Sequence, residues 1–142
     1  MGGSGRRAAR LQGHGKNVAH KVRGLDGALV ERESKLITAL TPLDTRRFEI
    51  AVAGPGALLV AKLYKVWERK GNAGREDAKD ALDLFRLLRA LPTAELASRI
   101  VTLCEIPASQ SEARQALTYL GELFSDENAY GAQMVGDAVG ML

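Results

Sequence analysis

The stretch 61-AKLYKVWERKGNAGREDAKDALDLFRLLRAL-91 decides the fold of the second half of the chain. Its first part repeats apolar residues at helical spacing. Three cations recur along one side of that helix, at positions i, i+3 and i+7: Lys62, Lys65 and Arg69. Its second part is a further helical pattern that carries Asp80 and Asp83 near its start. Because "GNAG" breaks the pattern between them, we predict two antiparallel neighbouring helices with facing charges.

Two interpretations of these charges stay open. In the first, the cationic side and the two carboxylates together handle a phosphate group. In the second, Asp80 and Asp83 simply stabilise the start of their helix, whose dipole favours each negative charge by roughly 0.3–1 kcal/mol, and ion pairs join the helices. Under both interpretations we predict that Lys62 or Arg69 lies within about 4 Å of Asp80 or Asp83, the usual limit of an ion pair.

Three short runs with β-branched and alternating apolar residues precede this region: "ALVERE", "KLITAL" and "RFEIAVA". They are separated by "ES" and by "TPLDTR", which contain residues typical of turns. Pro55 suits the first turn of a helix, where its missing N–H costs no hydrogen bond. We therefore predict an α+β fold, in which a small three-stranded antiparallel meander is followed, from about residue 55, by a helical bundle of about four helices.

The first 25 residues differ from the rest of the chain in charge. They hold six basic residues and no acidic residue: Arg6, Arg7, Arg10, Lys16, Lys21 and Arg23. We expect a basic leader over residues 1–25 that is partly disordered or forms a short helix ending near Gly24, and that suits a polyanion such as RNA. Residues 26–142 are expected to form a single domain.

The composition argues against disulfide-bonded, membrane-spanning and secreted proteins. Cys104 is the only cysteine, so no internal disulfide forms. No apolar run approaches the roughly 18 residues that span a membrane, and the first residues lack the apolar core of a secretory signal. We expect a cytoplasmic protein without membrane contact, whose partner is a nucleoside triphosphate, RNA or another protein. The sequence does not fix the oligomeric state, and His14 and His20 lack the neighbours of a metal site.

The segments "VAGPGALLVAKLYKVWER" and "KDALDLFRLLRALPTAELA" resemble the second half of bacterial nucleotidyltransferase-like proteins. These are similar to the toxins of abortive-infection toxin–antitoxin systems, within the polymerase-beta-like superfamily. The family pattern is an Ala-Lys-Leu lysine, an arginine seven residues later, and Arg/Lys-Asp-x-x-Asp at the start of the next helix. Its matches are Lys62, Arg69, Lys79, Asp80 and Asp83. The resemblance extends from Gly5 to about Leu123 and implies substrate binding by Lys62, Arg69 and Lys79. Lys65 is a further candidate for substrate binding, because it lies on the same side of the helix as Lys62 and Arg69.

The chain departs from the family at the catalytic centre. There the family has Gly-Ser or Gly-Gly followed by Asp-x-Asp, which holds divalent metal under the nucleotide phosphates. Here the first acid is Asp26, with no second carboxylate two residues away. Glu49 takes the place of a third carboxylate, so the catalytic candidates are Glu49, Asp80 and Asp83, with Mg²⁺ as the cofactor if any transferase activity remains.

Three functions stay open on this basis. The first is the carboxy-terminal portion of a nucleotidyltransferase-like protein, truncated before its catalytic half, that acts as a binding scaffold without catalysis of its own. The second is a non-enzymatic helical interaction module that binds a protein or polyanion partner. The third is an active transferase whose metal site is built from Glu49, Asp80 and Asp83.

Overall fold

The computed structural model describes residues 8–9, 19–20, 22–70 and 75–140. Within these ranges the chain has an α+β fold with six helices and two antiparallel pairs of strands. The strands are β1 (Ala8–Ala9), β2 (Ala19–His20), β3 (Arg32–Thr38) and β4 (Arg47–Ala53). The helices are α1 (Gly27–Val30), α2 (Pro55–Arg69), α3 (Arg75–Ala90), α4 (Thr93–Glu105), α5 (Gln110–Leu123) and α6 (Tyr130–Gly140).

The predicted three-stranded meander is corrected to a two-stranded hairpin. Strand β3 runs without a break through Ser34, which pairs with Ala51 of β4. The "ES" dipeptide is therefore strand rather than turn, and the Ser34 hydroxyl donates a hydrogen bond to Glu49 at 2.6 Å. The residues before β3 form helix α1, because the buried Gly27 lets this segment pack closely against Ala57 of α2.

The short helix predicted in the basic leader is wrong at Ala19–His20, which pair with Ala8–Ala9 as strands. Because each strand has only two residues, this pairing left no alternating pattern to detect. Most of the leader, including His14, lies outside the described residues. Gly24 is buried, and its φ of 82° is a left-handed conformation that favours glycine. A Cβ there would lie 2.9 Å from the ring of Tyr64.

Helix α2 is the centre of the helical part. It begins at Pro55, as predicted, and its buried face packs against α3, α4 and α5. Where it meets α5, the ring of Trp67 stacks on Tyr119 with centroids 4.4 Å apart, and Tyr64 meets Tyr119 edge-on. This contact supports the prediction that Trp67 belongs to the apolar face of α2.

In the described ranges the helical part has five helices, α2 to α6, where about four were predicted, and the last of them is formed by the glycine-rich tail, which packs against α3. The helices share one core, whose largest fully buried apolar side chains are Leu63, Leu84, Leu103, Leu123, Val60 and Val66. Cys104 is half-buried at the edge of this core. Of the helices in the described ranges, none has the length and apolarity to cross a bilayer.

The β3–β4 hairpin lies outside the helical core. Of its fourteen strand residues, only Glu33 and Val52 are even half-buried, and the others are exposed. Its seven residue pairs run in register from Arg32 opposite Ala53 to Thr38 opposite Arg47. The hairpin is thus a projection from the helical bundle, joined to it at the end where α1 precedes β3 and α2 follows β4.

Candidate functional site

The predicted helical hairpin of α2 and α3 is present, and its charges meet. Arg69 near the end of α2 contacts Asp80 near the start of α3, while Lys62, two turns earlier on α2, reaches Asp83, further along α3. The two helices are therefore antiparallel. We call the five side chains that meet here the ion cluster: Lys62, Lys65, Arg69, Asp80 and Asp83.

Asp80 is the centre of the ion cluster. Its Oδ1 lies 3.2 Å from Nζ of Lys62 and 3.3 Å from Nζ of Lys65. Its Oδ2 lies 2.5 Å from Nη1 of Arg69. Lys62 also donates a hydrogen bond of 2.7 Å to Oδ2 of Asp83. The prediction that Lys62 or Arg69 pairs with Asp80 or Asp83 is confirmed.

The cluster is buried at its acidic centre and open at its cationic edge. Asp80 is only 4% exposed, and the burial of its negative charge would be strongly unfavourable without the cations that surround it. Burial opposes the protonated form of Lys62, but hydrogen bonds to Asp83 and Asp80 outweigh it and raise the pKa of Lys62. The hydrogen bond from Lys62 lowers the pKa of Asp83 against the effect of burial, helped by the charges of Arg86 and Lys79.

The third carboxylate predicted for the site lies elsewhere. Glu49 is on the exposed hairpin, where it accepts the hydrogen bond from Ser34. No group of three or more His, Cys, Asp or Glu side chains among the described residues could hold a metal ion. Glu49, Asp80 and Asp83 therefore do not form the oxygen-ligand set that Mg²⁺ needs. Asp80 and Asp83 are bonded to cations instead, so the cluster does not fit the metal that the resemblance implies.

A second charged cluster, not predicted from the sequence, lies at the root of the hairpin. Both oxygens of Glu31 accept backbone hydrogen bonds at the start of α2, from Gly56 at 3.2 Å and from Ala57 at 2.5 Å. Arg99 of α4 donates to Glu31 at 2.9 Å and also contacts Glu33 and Glu95. We call these four side chains the root cluster: Glu31, Glu33, Glu95 and Arg99.

The root cluster completes the start of α2. The N-cap residue is Gly54, which has no side chain to accept a hydrogen bond. Glu31 supplies that acceptor from another element, and its negative charge suits the helix N-terminus. One sequence signal pointed to this arrangement: a helix start at "AGPG" without Ser, Thr, Asp or Asn needs an acceptor from outside. The identity of that acceptor had no local signal.

The third notable surface is the apolar side of the β3–β4 hairpin. Ile37 pairs with Phe48 across the strands, and Ile50 follows on the same face. These three side chains, which we call the hairpin face, are 45%, 58% and 44% exposed. At the end of the hairpin, Leu40 and Leu43 are fully exposed. The opposite side carries Leu36, which pairs with Glu49.

No protein-family model, no curated protein and no solved structure matches this chain. The resemblance to nucleotidyltransferase-like proteins therefore stays a hypothesis from the residue pattern alone. Three features of the structure bear on function: the ion cluster, the root cluster and the hairpin face.

Proposed function

We propose that this chain is a non-enzymatic interaction module and that the β3–β4 hairpin is its binding surface. The observation that carries the proposal is the exposure of the hairpin face, where Ile37, Phe48 and Ile50 lie side by side in solvent. Single exposed apolar residues are common, whereas adjacent exposed apolar residues favour contact with another molecule as the patch grows beyond a few hundred Å².

The hairpin also buries little of its own surface. A two-stranded hairpin is only marginally stable in water and needs a third strand or a packed helix on its apolar face. Here both strands are exposed over nearly their whole length. A partner that covers the hairpin face would supply the missing burial, worth about 25 cal/mol for each Å² of apolar surface.

The ion cluster supports an interaction module rather than a catalyst. The cations that would otherwise meet a phosphate, Lys62 and Arg69, already contact Asp80. A cluster whose charges are paired in this way joins α2 to α3. It leaves the hairpin as the surface whose exposure the fold itself does not explain.

Site-directed photo-crosslinking in the cells that express the chain tests this proposal. Phe48 is replaced by the photoreactive p-benzoylphenylalanine, and Leu117, an exposed apolar residue on α5, is replaced in the same way as the control. We expect a crosslinked adduct from position 48 and none from position 117. A probe at position 48 that yields no adduct would show that the hairpin face is not a binding surface.

A second candidate is anion binding by the scaffold of a nucleotidyltransferase-like protein. It is favoured by the exposed cationic edge of the ion cluster, where the side chain of Lys65 is half exposed beside Asp80. Lys79 is exposed nearby on α3. Binding through such exposed charges would be weak and salt-sensitive, because salt screens them over about 8–10 Å.

Titration with ATP and with a short RNA, at low and at moderate salt, tests the second candidate. The double variant Lys65→Ala, Lys79→Ala should lose binding, while Arg114→Ala on α5 removes an exposed cation elsewhere and serves as the control. Binding that survives the double variant, or that is insensitive to salt, would place any anion site away from the ion cluster.

A further inference from the structure

We infer that the partner of the hairpin face is a second copy of this chain, packed face to face about a two-fold axis. This inference rests on the proposed function, in which the hairpin is a binding surface. Three properties of the hairpin favour a second copy over another partner: its charge balance, the pairing of its ionic groups and the amount of apolar surface it offers.

The charge of the hairpin is balanced. Between residues 31 and 54 there are four acidic and four basic residues: Glu31, Glu33, Asp44, Glu49, Arg32, Lys35, Arg46 and Arg47. In a two-fold contact the same patch stands on both sides, so a surface with net charge would repel its own copy. A balanced surface does not, and it offers no net field to attract a strongly charged partner.

The charged groups beside the hairpin face are already paired within the chain. Lys35, on the same face, lies 2.8 Å from Glu33, and Arg46 near the tip lies 2.5 Å from Asp44. The Lys35 hydrogen bond is the main reason that the pKa of Glu33 is lowered. Closing two such faces together would therefore bury no unpaired charge, which is the main penalty of burying a polar interface.

The apolar surface is of the right order for a reversible dimer. The hairpin face alone exposes roughly 250 Å², and Leu40 and Leu43 at the tip expose roughly 350 Å² more, if a fully exposed side chain offers about 175 Å², the lower part of the range of about 150–250 Å² for aromatic side chains. Stable interfaces bury about 800 Å² on each partner, polar rim included. Pairing of strand edges alone would leave the hairpin face in water, whereas face-to-face packing of two sheets, about 10 Å apart, covers it.

Sedimentation velocity on the full chain, from about 1 to 500 µM, tests the inference across the range where weak dimers form. We expect the mass to rise with concentration from 15.3 kDa towards twice that value. Ile37→Lys, which places a charge on the hairpin face, should weaken association at least tenfold. Leu36→Lys is the matched control, because Leu36 is the neighbouring exposed residue on the opposite side, across from Glu49.

Circular dichroism of both variants checks that the fold survives, and Phe48→Lys provides a second disruption if Ile37→Lys alters the hairpin. A chain that stays monomeric at every concentration, or that Leu36→Lys dissociates as strongly as Ile37→Lys, overturns the inference. If the monomeric chain still crosslinks from position 48 to a different protein, the second copy is excluded and the proposed function stands. If position 48 yields no adduct either, the inference and the proposed function are both wrong.

Discussion

Asp80 and Arg69 lie 2.5 Å apart, Oδ2 to Nη1, although eleven residues and the break between α2 and α3 separate them along the chain. The contact sits at the closed end of the antiparallel helix pair. A carboxylate that is almost fully buried is thus held between cations of the preceding helix. Asp80 therefore has a structural role, and its replacement should lower the stability of the protein.

Asp80→Asn should lower the free energy of unfolding by about 3 kcal/mol, because it leaves Lys62, Lys65 and Arg69 close together without their shared buried anion. Asp83→Asn is the control. Asp83 is more exposed and lies at the edge of the cluster, so its loss should cost less than about 1 kcal/mol. Urea unfolding followed by circular dichroism measures both, and equal effects would contradict the central role of Asp80.

The ion cluster should give stability a pH dependence at both extremes. Pairing lowers the pKa of Asp83 below its ordinary 3.8, so its contribution is full above pH 3.8 and is lost as the pH falls through the lowered value. Pairing raises the pKa of Lys62 above its ordinary 10.5, so its contribution is full below pH 10.5 and is lost as the pH rises through the raised value.

Melting temperatures across the pH range check this dependence. Lys62→Met removes the partner that Asp80 and Asp83 share, so the melting temperature should fall less steeply at acidic and at alkaline pH. Lys70→Met is the control, because Lys70 lies over the Trp67 ring, outside the cluster. If the melting temperature of the wild type and of Lys62→Met depends on pH in the same way, other groups set the pH dependence of stability.

Replacement of two helical glycines by alanine should change the free energy of unfolding in opposite directions. At Gly56 a Cβ would lie 2.6 Å from Glu31 and 2.9 Å from Cβ of Arg99. Gly56→Ala should therefore displace the carboxylate that caps α2 and cost about 1–2 kcal/mol. At Gly136 of α6 a Cβ meets nothing within 4 Å. Gly136→Ala should stabilise by about 0.5–1 kcal/mol, since alanine is the better helix former.

Thermal unfolding measures both glycine variants. Adding Glu31→Ala to Gly56→Ala should cost less than the two single changes together, because both act on the same cap. Additive costs would mean that Gly56→Ala acts through some other contact.

We expect no nucleotidyl transfer by this chain alone. Glu49 is on the hairpin, and Asp80 and Asp83 are bonded to cations, so the carboxylates that the structure describes form no set that could hold metal beneath a triphosphate. Incubation with labelled nucleoside triphosphates, Mg²⁺ or Mn²⁺, and total RNA or protein should transfer no label. Transfer of label that Asp83→Asn abolishes would contradict this expectation.

The α2–α3 pair could be predicted from the sequence because its signals are local. Apolar spacing defined both helices, Pro55 marked the start of α2, and the spacing of Lys62 and Arg69 against Asp80 and Asp83 indicated the ion pairs. These contacts join neighbours across one short break, so few alternative arrangements existed.

The sheet and the root cluster could not be predicted in this way. The runs around "ES" had strand composition, but only the pairing of Ser34 with Ala51 shows that they form one strand. Arg99 and Glu31 are 68 residues apart, and their contact depends on how α4 packs against the start of α2. A cap supplied from so far away leaves no periodic pattern, because it is created by tertiary packing.

The position of Glu31 also has a consequence for local opening and hydrogen exchange. Amides of the exposed hairpin should exchange with solvent faster than those at the centre of α2, because little buried surface opposes their opening. Glu31 stands where the hairpin begins, yet it holds the amides of Gly56 and Ala57 at the start of α2. Opening that reaches Glu31 would release these two amides as well, so their protection should follow that of the hairpin root rather than that of the helix to which they belong.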